Sequence, residues 1–261
     1  MAGTARRVHV LLCGHEESDK GYLTLMKDCG KTVSVPYHAY LIEDSEYNIL
    51  VDTGASIRWR ELHPETLVKT CPVFIENNER IDHVIESIGF SNNDISYVIN
   101  THLHYDHCGN NEMFPQARFL VNASELSHAM APGWWEAFSY VRAVFDKSNL
   151  KYDLLTGDFE VLPGISIIQT PGHTEGHQSI VIQLEATGTL VLAGDAIYIR
   201  ENLEGPALPG IYVNAEQYAL SMAKLKRIIE LRKGTLLLSH SREYFTTSGW
   251  RILEKPVQVF Q

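Results

Sequence analysis

Between residues 100 and 109 the chain reads NTHLHYDHCG, so four side chains able to ligate a metal, His102, His104, Asp106 and His107, fall within six residues. An apolar run, Tyr97 to Asn100, leads directly into them. Alternate residues of an extended stretch point the same way, so His102 and His104 can grip one ion from one side. Asp106 and His107, on the turn that follows, are free to face a second. The same arrangement recurs further along. Ile165 to Gln169 ends in Thr170, Pro171, Gly172 and His173; Thr189 to Ala193 ends in Gly194 and Asp195; Thr235 to Leu238 ends in Ser239 and His240. A strand that delivers a His or Asp just past its C-terminal end puts that side chain at a sheet's rim, where loops gather into a cleft. Two divalent ions about 3.5 to 4 Å apart activate a shared water and polarise a carbonyl or phosphoryl oxygen, so the chemistry expected of such a rim is hydrolysis.

Positioning these groups takes a mixed α/β framework. Besides the four runs above, Val8 to Cys13, Tyr40 to Glu43, Asn48 to Val51, Ala117 to Val121 and Ser179 to Leu184 read as strands. Ile81, Val84, Ile85 and Ile88 repeat at helical spacing and Gly89 supplies a stop. Asn214, with Gln217 three residues on, resembles a capping box opening a helix whose Met222, Leu225, Ile228 and Ile229 form one stripe before Gly234. A third helix is expected over Gly133 to Phe145, rich in aromatics. No Pro/Gly/Ser linker, charge block or low-complexity stretch divides the chain, so 1–261 reads as a single domain with two similar halves.

Composition limits what such a site would act on. The chain has 22 basic and 32 acidic residues, a net charge of −10, and 44% of its residues are apolar. That balance argues against a nucleic-acid partner, whose binding is driven by clustered Lys and Arg. No apolar run approaches the roughly 18 to 20 residues of a spanning helix, so no membrane partner is expected. The short apolar stretch after Arg6 and Arg7 reads as a first strand rather than a signal peptide, and the expected address is the cytoplasm. Cys13, Cys29, Cys71 and Cys108 stand far apart, which fits reduced thiols. Of 12 histidines, His9, His15, His38, His63, His83 and His128 have no ligand spacing and are expected to be bystanders.

The ordered motifs resemble the metallo-β-lactamase superfamily, whose signature H-x-H-x-D-H is His102 to His107 here, with the match running from Asp52 to His240. The resemblance implies an αββα sandwich: two mixed β-sheets face to face with helices outside. It implies that His102, His104 and His173 hold one divalent ion, that Asp106, His107 and His240 hold a second, and that Asp195 bridges both. Zn2+ is the first expectation, although imidazole and carboxylate ligands also accept Fe, Co and Mn. Asp52, in Leu50 to Gly54, would accept a hydrogen bond from a ligand imidazole. The second histidine of GHTEGH, His177, is usually structural in the family. Asp195 stands where the zinc β-lactamases carry a cysteine, which disfavours antibiotic hydrolysis, and His104 argues against a redox di-iron site.

Within the superfamily the chain looks most like the N-acyl homoserine lactonases, on Val35 to Leu41, Thr170 to Ser179, and Asp195 to Tyr198. That likeness implies a small-molecule lactone as partner, opened by attack of a metal-bridging hydroxide, with Asp106 carrying the proton to the leaving oxygen. Tyr198, three residues past the bridging acid, would donate to the oxyanion; packing against a neighbouring helix explains it as well. Trp134, Trp135, Phe138, Tyr140 and Phe145 either wall an acyl pocket or pack into the core. Cys108 in place of a small alanine, and Ser241, Arg242 and Glu243 where an aspartate commonly follows the histidine, depart from the lactonase pattern. Another lactonase, such as one for pyridoxolactone, and a thioesterase are the alternatives, and a metal-free binding protein is a third. Only 21 residues follow His240, which leaves little for the C-terminal extension of hydroxyacylglutathione hydrolases. Self-association into a homodimer is left open.

Overall fold

Two mixed β-sheets lie face to face with helices on their outer sides. The computed structural model describes residues 5–241, apart from 45, 186, 187 and 206, together with 250–253. The larger sheet is built from β1 (Arg7–Asp19), β2 (Thr32–Glu43), β3 (Asn48–Val51), β4 (Val73–Phe74), β5 (Ile95–Ile99), β6 (Arg118–Asn122), β7 (Lys151–Leu155) and β13 (Trp250–Leu253). Its order is β13-β1-β2-β3-β5-β6-β7, with β4 beside β1. The pairs from β13 through β3 are antiparallel, and those from β3 through β7 are parallel. The smaller sheet holds β8 (Phe159–Leu162), β9 (Ile165–Gln169), β10 (Gln178–Leu184), β11 (Gly188–Leu192) and β12 (Thr235–Leu237) in the order β12-β11-β10-β9-β8.

Period-two alternation sets which side chains meet between the sheets. Val8 and Val10 of β1, Tyr40 and Ile42 of β2, and Ile49 and Val51 of β3 join Ile165, Ile180, Ile182 and Leu192 of the smaller sheet in one buried cluster. Their neighbours Leu11, Leu41 and Leu50 turn the other way and pack with Ile81, Val84 and Ile85 of the helix Ile81–Ser87. Each such fully buried aliphatic side chain contributes about 1.5–3 kcal/mol of transfer free energy. Strand β10 is covered on both sides, so Ile180, Val181 and Ile182 are all buried rather than alternating. The helix Ala215–Arg232 lays Met222, Leu225 and Ile229 on the smaller sheet. Asn214 caps it by accepting from the Gln217 amide, and Lys233, in the left-handed conformation, closes it one residue before the expected glycine.

One expected element is absent. Gly133 to Phe145 is not a helix; turns carry the chain to a single helical turn, Arg142–Phe145. Pro132 and Gly133 break the preceding helix, and the Glu136 carboxylate accepts from the Gly133 amide in a local turn. Trp134 and Trp135 are accordingly 87% and 60% exposed, while Tyr140 and Phe145 enter the core. Strands β4, β7, β8 and β13 were not expected. Arg242 and Glu243, where the sequence departs from the lactonase pattern, lie outside the described residues.

Candidate metal centre

Each candidate donor stands just beyond a strand. His102 to His107 follow β5 of the larger sheet, and His173, Asp195 and His240 follow β9, β11 and β12 of the smaller one. All seven donor side chains come together at the end of the seam between the sheets. His102, His104 and His173 form one cluster, Asp106, His107 and His240 another, and His102, His107 and Asp195 a group linking them, with ligand atoms within 4.8 Å of one another in each. In the first cluster His173 Nε2 lies 3.2 Å from His102 Nε2 and 3.1 Å from His104 Nδ1. A tetrahedral zinc with bonds of about 2.0–2.1 Å separates its ligand nitrogens by about 3.3 Å, close to this spacing.

Asp195 divides its carboxylate between the clusters. Its Oδ2 lies 3.3 Å from His173 Nε2, and its Oδ1 lies 3.3 Å from His107 Nε2 and 3.2 Å from His240 Nε2. His107 Nε2 and Asp195 Oδ1 are nevertheless buried without a hydrogen bond. Buried polar atoms are ordinarily paired, and orphans that converge on one point fit a cation between them. Seven imidazole and carboxylate donors without a thiolate therefore fit two divalent ions.

Neighbouring groups fix which nitrogen of His107, His173 and His240 faces inward. Asp52 Oδ2 accepts from His107 Nδ1 at 2.7 Å, so the Nε2 lone pair is presented to the cluster. Thr101 holds both oxygens of Asp52, through its amide at 2.7 Å and its hydroxyl at 2.7 Å. Asp52 itself sits at a φ of 59°, a left-handed turn that aspartate tolerates better than most residues. Carbonyl oxygens of Ile211 and Pro36 accept from Nδ1 of His173 and His240, at 3.0 and 2.9 Å. His177 belongs to neither cluster. Its Nε2 accepts from the Asp195 amide at 2.9 Å, and burial, followed by His173, pushes its pKa down to about 3, leaving a neutral ring that positions the carboxylate-bearing turn. Gly194 opens that turn, where a Cβ would stand 2.7 Å from His177 Nε2.

Burial and then mutual repulsion, His107 foremost, push the His102 imidazole well below its ordinary pKa. Burial acts in the same direction on His107, yet the carboxylates of Asp195, Asp106 and Asp52 overcome it and raise that ring well above. Asp195 is held well below the usual carboxylate range, because His107, His240 and His173 outweigh the effect of burial. The second cluster is thus a concentrated negative field facing imidazole donors, the electrostatic setting a cation would occupy.

Glu125 was not singled out by its sequence context. It is fully buried on the short helix Ala123–Met130 and accepts from the Leu103 amide at 2.9 Å, the Thr174 hydroxyl at 2.6 Å and the Gly176 amide at 3.1 Å. Leu103 stands between His102 and His104, and Thr174 follows His173, so one carboxylate ties together both loops of the first cluster. The inward pair Glu125 and Ala129, four residues apart, was the available signal.

The clusters open into a cavity of about 150 Å³ lined by His104, Asp106, His173, Asp195, Tyr198 and His240 together with Leu23, Val35, Leu67 and Phe138. Tyr198 packs against residues of the β1–β2 side rather than on a helix. Its ring packs with Leu23 and Val35, and its hydroxyl, 3.2 Å from His173 Nδ1, reaches the cavity. Of the aromatic stretch, Phe138 alone lines this space. The six bystander histidines lie outside the clusters; His63, for example, bonds the Trp59 carbonyl, and His128 the Glu136 carboxylate. The four cysteines are free thiols, Cys108 among them donating to the Leu103 carbonyl at 3.3 Å.

A two-sheet α/β sandwich with a histidine-aspartate centre at its seam defines a class, and residues 34–240 match the family model described as the metallo-beta-lactamase superfamily. The chain belongs to that superfamily. It is 30% identical over 245 residues to an N-acyl homoserine lactonase from Bacillus sp, covering 92% of this chain and 95% of that one. It is 29% identical over 243 residues to the N-acyl homoserine lactonase AttM of Rhizobium radiobacter, covering 90% and 92%. Among solved structures it resembles an N-acyl homoserine lactone hydrolase with the product N-hexanoyl-L-homoserine bound at its catalytic metal centre, at a TM-score of 0.83 and 28% identity over 92% of this chain and 95% of that one.

Proposed function

We propose that the chain is a dinuclear metal-dependent lactonase that opens the ring of N-acyl homoserine lactones. The observation that carries the dinuclear reading is the Asp195 carboxylate, whose two oxygens face two separate histidine clusters. The likeness to lactonases over nearly the whole chain supports the lactone as substrate. His102, His104 and His173 would hold one ion, Asp106, His107 and His240 the other, and Asp195 both, with Zn2+ suited to the imidazole-rich donor set. Such a pair supplies a water of lowered pKa and polarises the lactone carbonyl.

The protein's own groups do the rest. Tyr198, with its ring fixed by packing, offers a phenolic proton to the oxygen that gains charge as the carbonyl is attacked, an interaction stronger in the transition state than in the ground state. Asp106 takes the proton released by the attacking water at its carboxylate and delivers it to the ring oxygen that leaves. Leu23, Val35, Leu67 and Phe138 line the cavity with apolar surface suited to an acyl group and exclude water from the reacting ester. The chain from 1 to 261 is taken as one catalytic domain.

A proton-release assay with metal-loaded protein over lactones, thioesters and phosphodiesters tests the reading. Homoserine lactones are expected to turn over fastest. Rapid turnover of thioesters or of pyridoxolactone, with homoserine lactones untouched, would move the substrate to another branch and leave the metal centre standing.

A further inference from the structure

Glu16 lines the same cavity but belongs to neither cluster. It stands in β1 where pairing with β2 resumes after the irregularity between Leu12 and His15. The hydroxyls of Tyr37 and Tyr105 both donate to its Oε2, each at 2.7 Å. Its Oε1 has no hydrogen-bond partner among the described residues, and the side chain is half-buried at the cavity wall. Tyr105 lies in the chain between His104 and Asp106, and the Tyr37 ring stands edge-on to the His240 ring at 6.4 Å between centroids. The carboxylate is therefore one aromatic ring away from His240, and its second phenol ties it to the segment that bears His104 and Asp106. Glu16 is half-buried, so water can reach its free oxygen until a ligand fills the cavity and displaces that water; an acid there then costs binding energy unless the ligand supplies a donor in its place. Two phenols pair one oxygen and hold it still. The other is left for a donor that the protein itself does not provide.

We propose that Glu16 is a specificity determinant whose Oε1 accepts a hydrogen bond from the amide N–H of an N-acyl lactone. The inference rests on the lactonase reading and sharpens it. In an N-acyl homoserine lactone the amide nitrogen is attached to the ring carbon next to the reacting carbonyl. A group that reads it must stand beside the metal-binding residues rather than at the far end of the acyl pocket, and Glu16 does. An analogue without the N–H would displace the water on Oε1 and offer no donor in its place, and is rejected for that reason.

The test measures kcat/KM of the metal-loaded full chain on N-hexanoyl homoserine lactone, on the same compound methylated at the amide nitrogen, and on a butyrolactone carrying an alkyl chain of equal length in place of the amide. The wild type is expected to favour the first over either of the others by about ten- to a hundredfold, the range for one hydrogen bond to a charged group. In Glu16→Gln that ratio falls by about tenfold, and Tyr37→Phe, which releases one tether of the carboxylate, lowers it by less. Calorimetry with the non-hydrolysable N-hexanoyl lactam gives a second readout, in which Glu16→Gln weakens Kd by about tenfold. An unchanged selectivity ratio, whether both activities fall together or neither does, overturns the proposal. Should Glu16→Gln not fold, the N-methyl substrate and Tyr37→Phe decide by the same ratio. If the wild type hydrolyses none of the three lactones, the lactonase reading fails and takes this inference with it; if it hydrolyses all three equally, the inference alone fails.

Discussion

Asp195 is aimed from behind as well as from the front. His177 holds its amide, the Tyr218 hydroxyl donates to its carbonyl, and its carboxylate is left to face the two clusters. Tyr198, three residues on, has its ring buried and its hydroxyl 3.2 Å from His173 Nδ1 at the cavity proposed to bind the lactone. Tyr198→Phe should therefore lower kcat by about one to three orders of magnitude, the range for a lost oxyanion donor, while metal content by elemental analysis stays at the wild-type value. An unchanged kcat would remove Tyr198 from the reaction. The seven candidate donors were legible in sequence because each lies within three to eight residues of the end of an apolar strand. Glu125 and Glu16 were not: the spacing of Glu125 from Ala129 marks at most an inward helix face, a glutamate past a strand irregularity carries no spacing signal, and both gain meaning only from partners tens of residues away.

The loops that carry the donors are stiffened by elements of another kind. Gly172 comes so close to the helix Ala215–Arg232 that a Cβ there would meet the Tyr218 amide nitrogen at 2.3 Å, which seats the His173 loop on that helix. The Glu125 carboxylate joins the same loop to the one bearing His102 and His104. Glu125→Ala strands three buried donors, so it should weaken binding of the first ion by about ten- to a hundredfold in chelator competition and lower Tm as well. Wild-type metal affinity in that variant would show that the loops hold their shape without it. Strands such as β3 and β10 were readable from β-branched runs. β7 and β8 were not, since their Lys, Asp and Glu dilute the pattern, and the aromatic run from Gly133 looked helical only because its composition hid a Pro-Gly break.

Across the whole molecule the centre sits where the two sheets meet. The larger sheet contributes His102, His104, Asp106 and His107, and the smaller one His173, Asp195 and His240. Bound ions would add their binding free energy to the cohesion of that seam, about 4 kcal/mol at a free concentration a thousandfold above Kd. For a chain of this size a chelator should accordingly lower Tm by about 10 °C and abolish lactone hydrolysis, with both restored by added Zn2+. A Tm indifferent to chelation would show that the seam holds without ions. The division of donors also bears on assembly. Either sheet by itself offers at most four of the seven, and those from the smaller one arrive on three separate strand ends. A chain that has paired its strands correctly but not yet closed one sheet upon the other has no complete coordination sphere to offer. Metal capture would then act as a checkpoint on folding, retaining ions only once the two layers have closed in register.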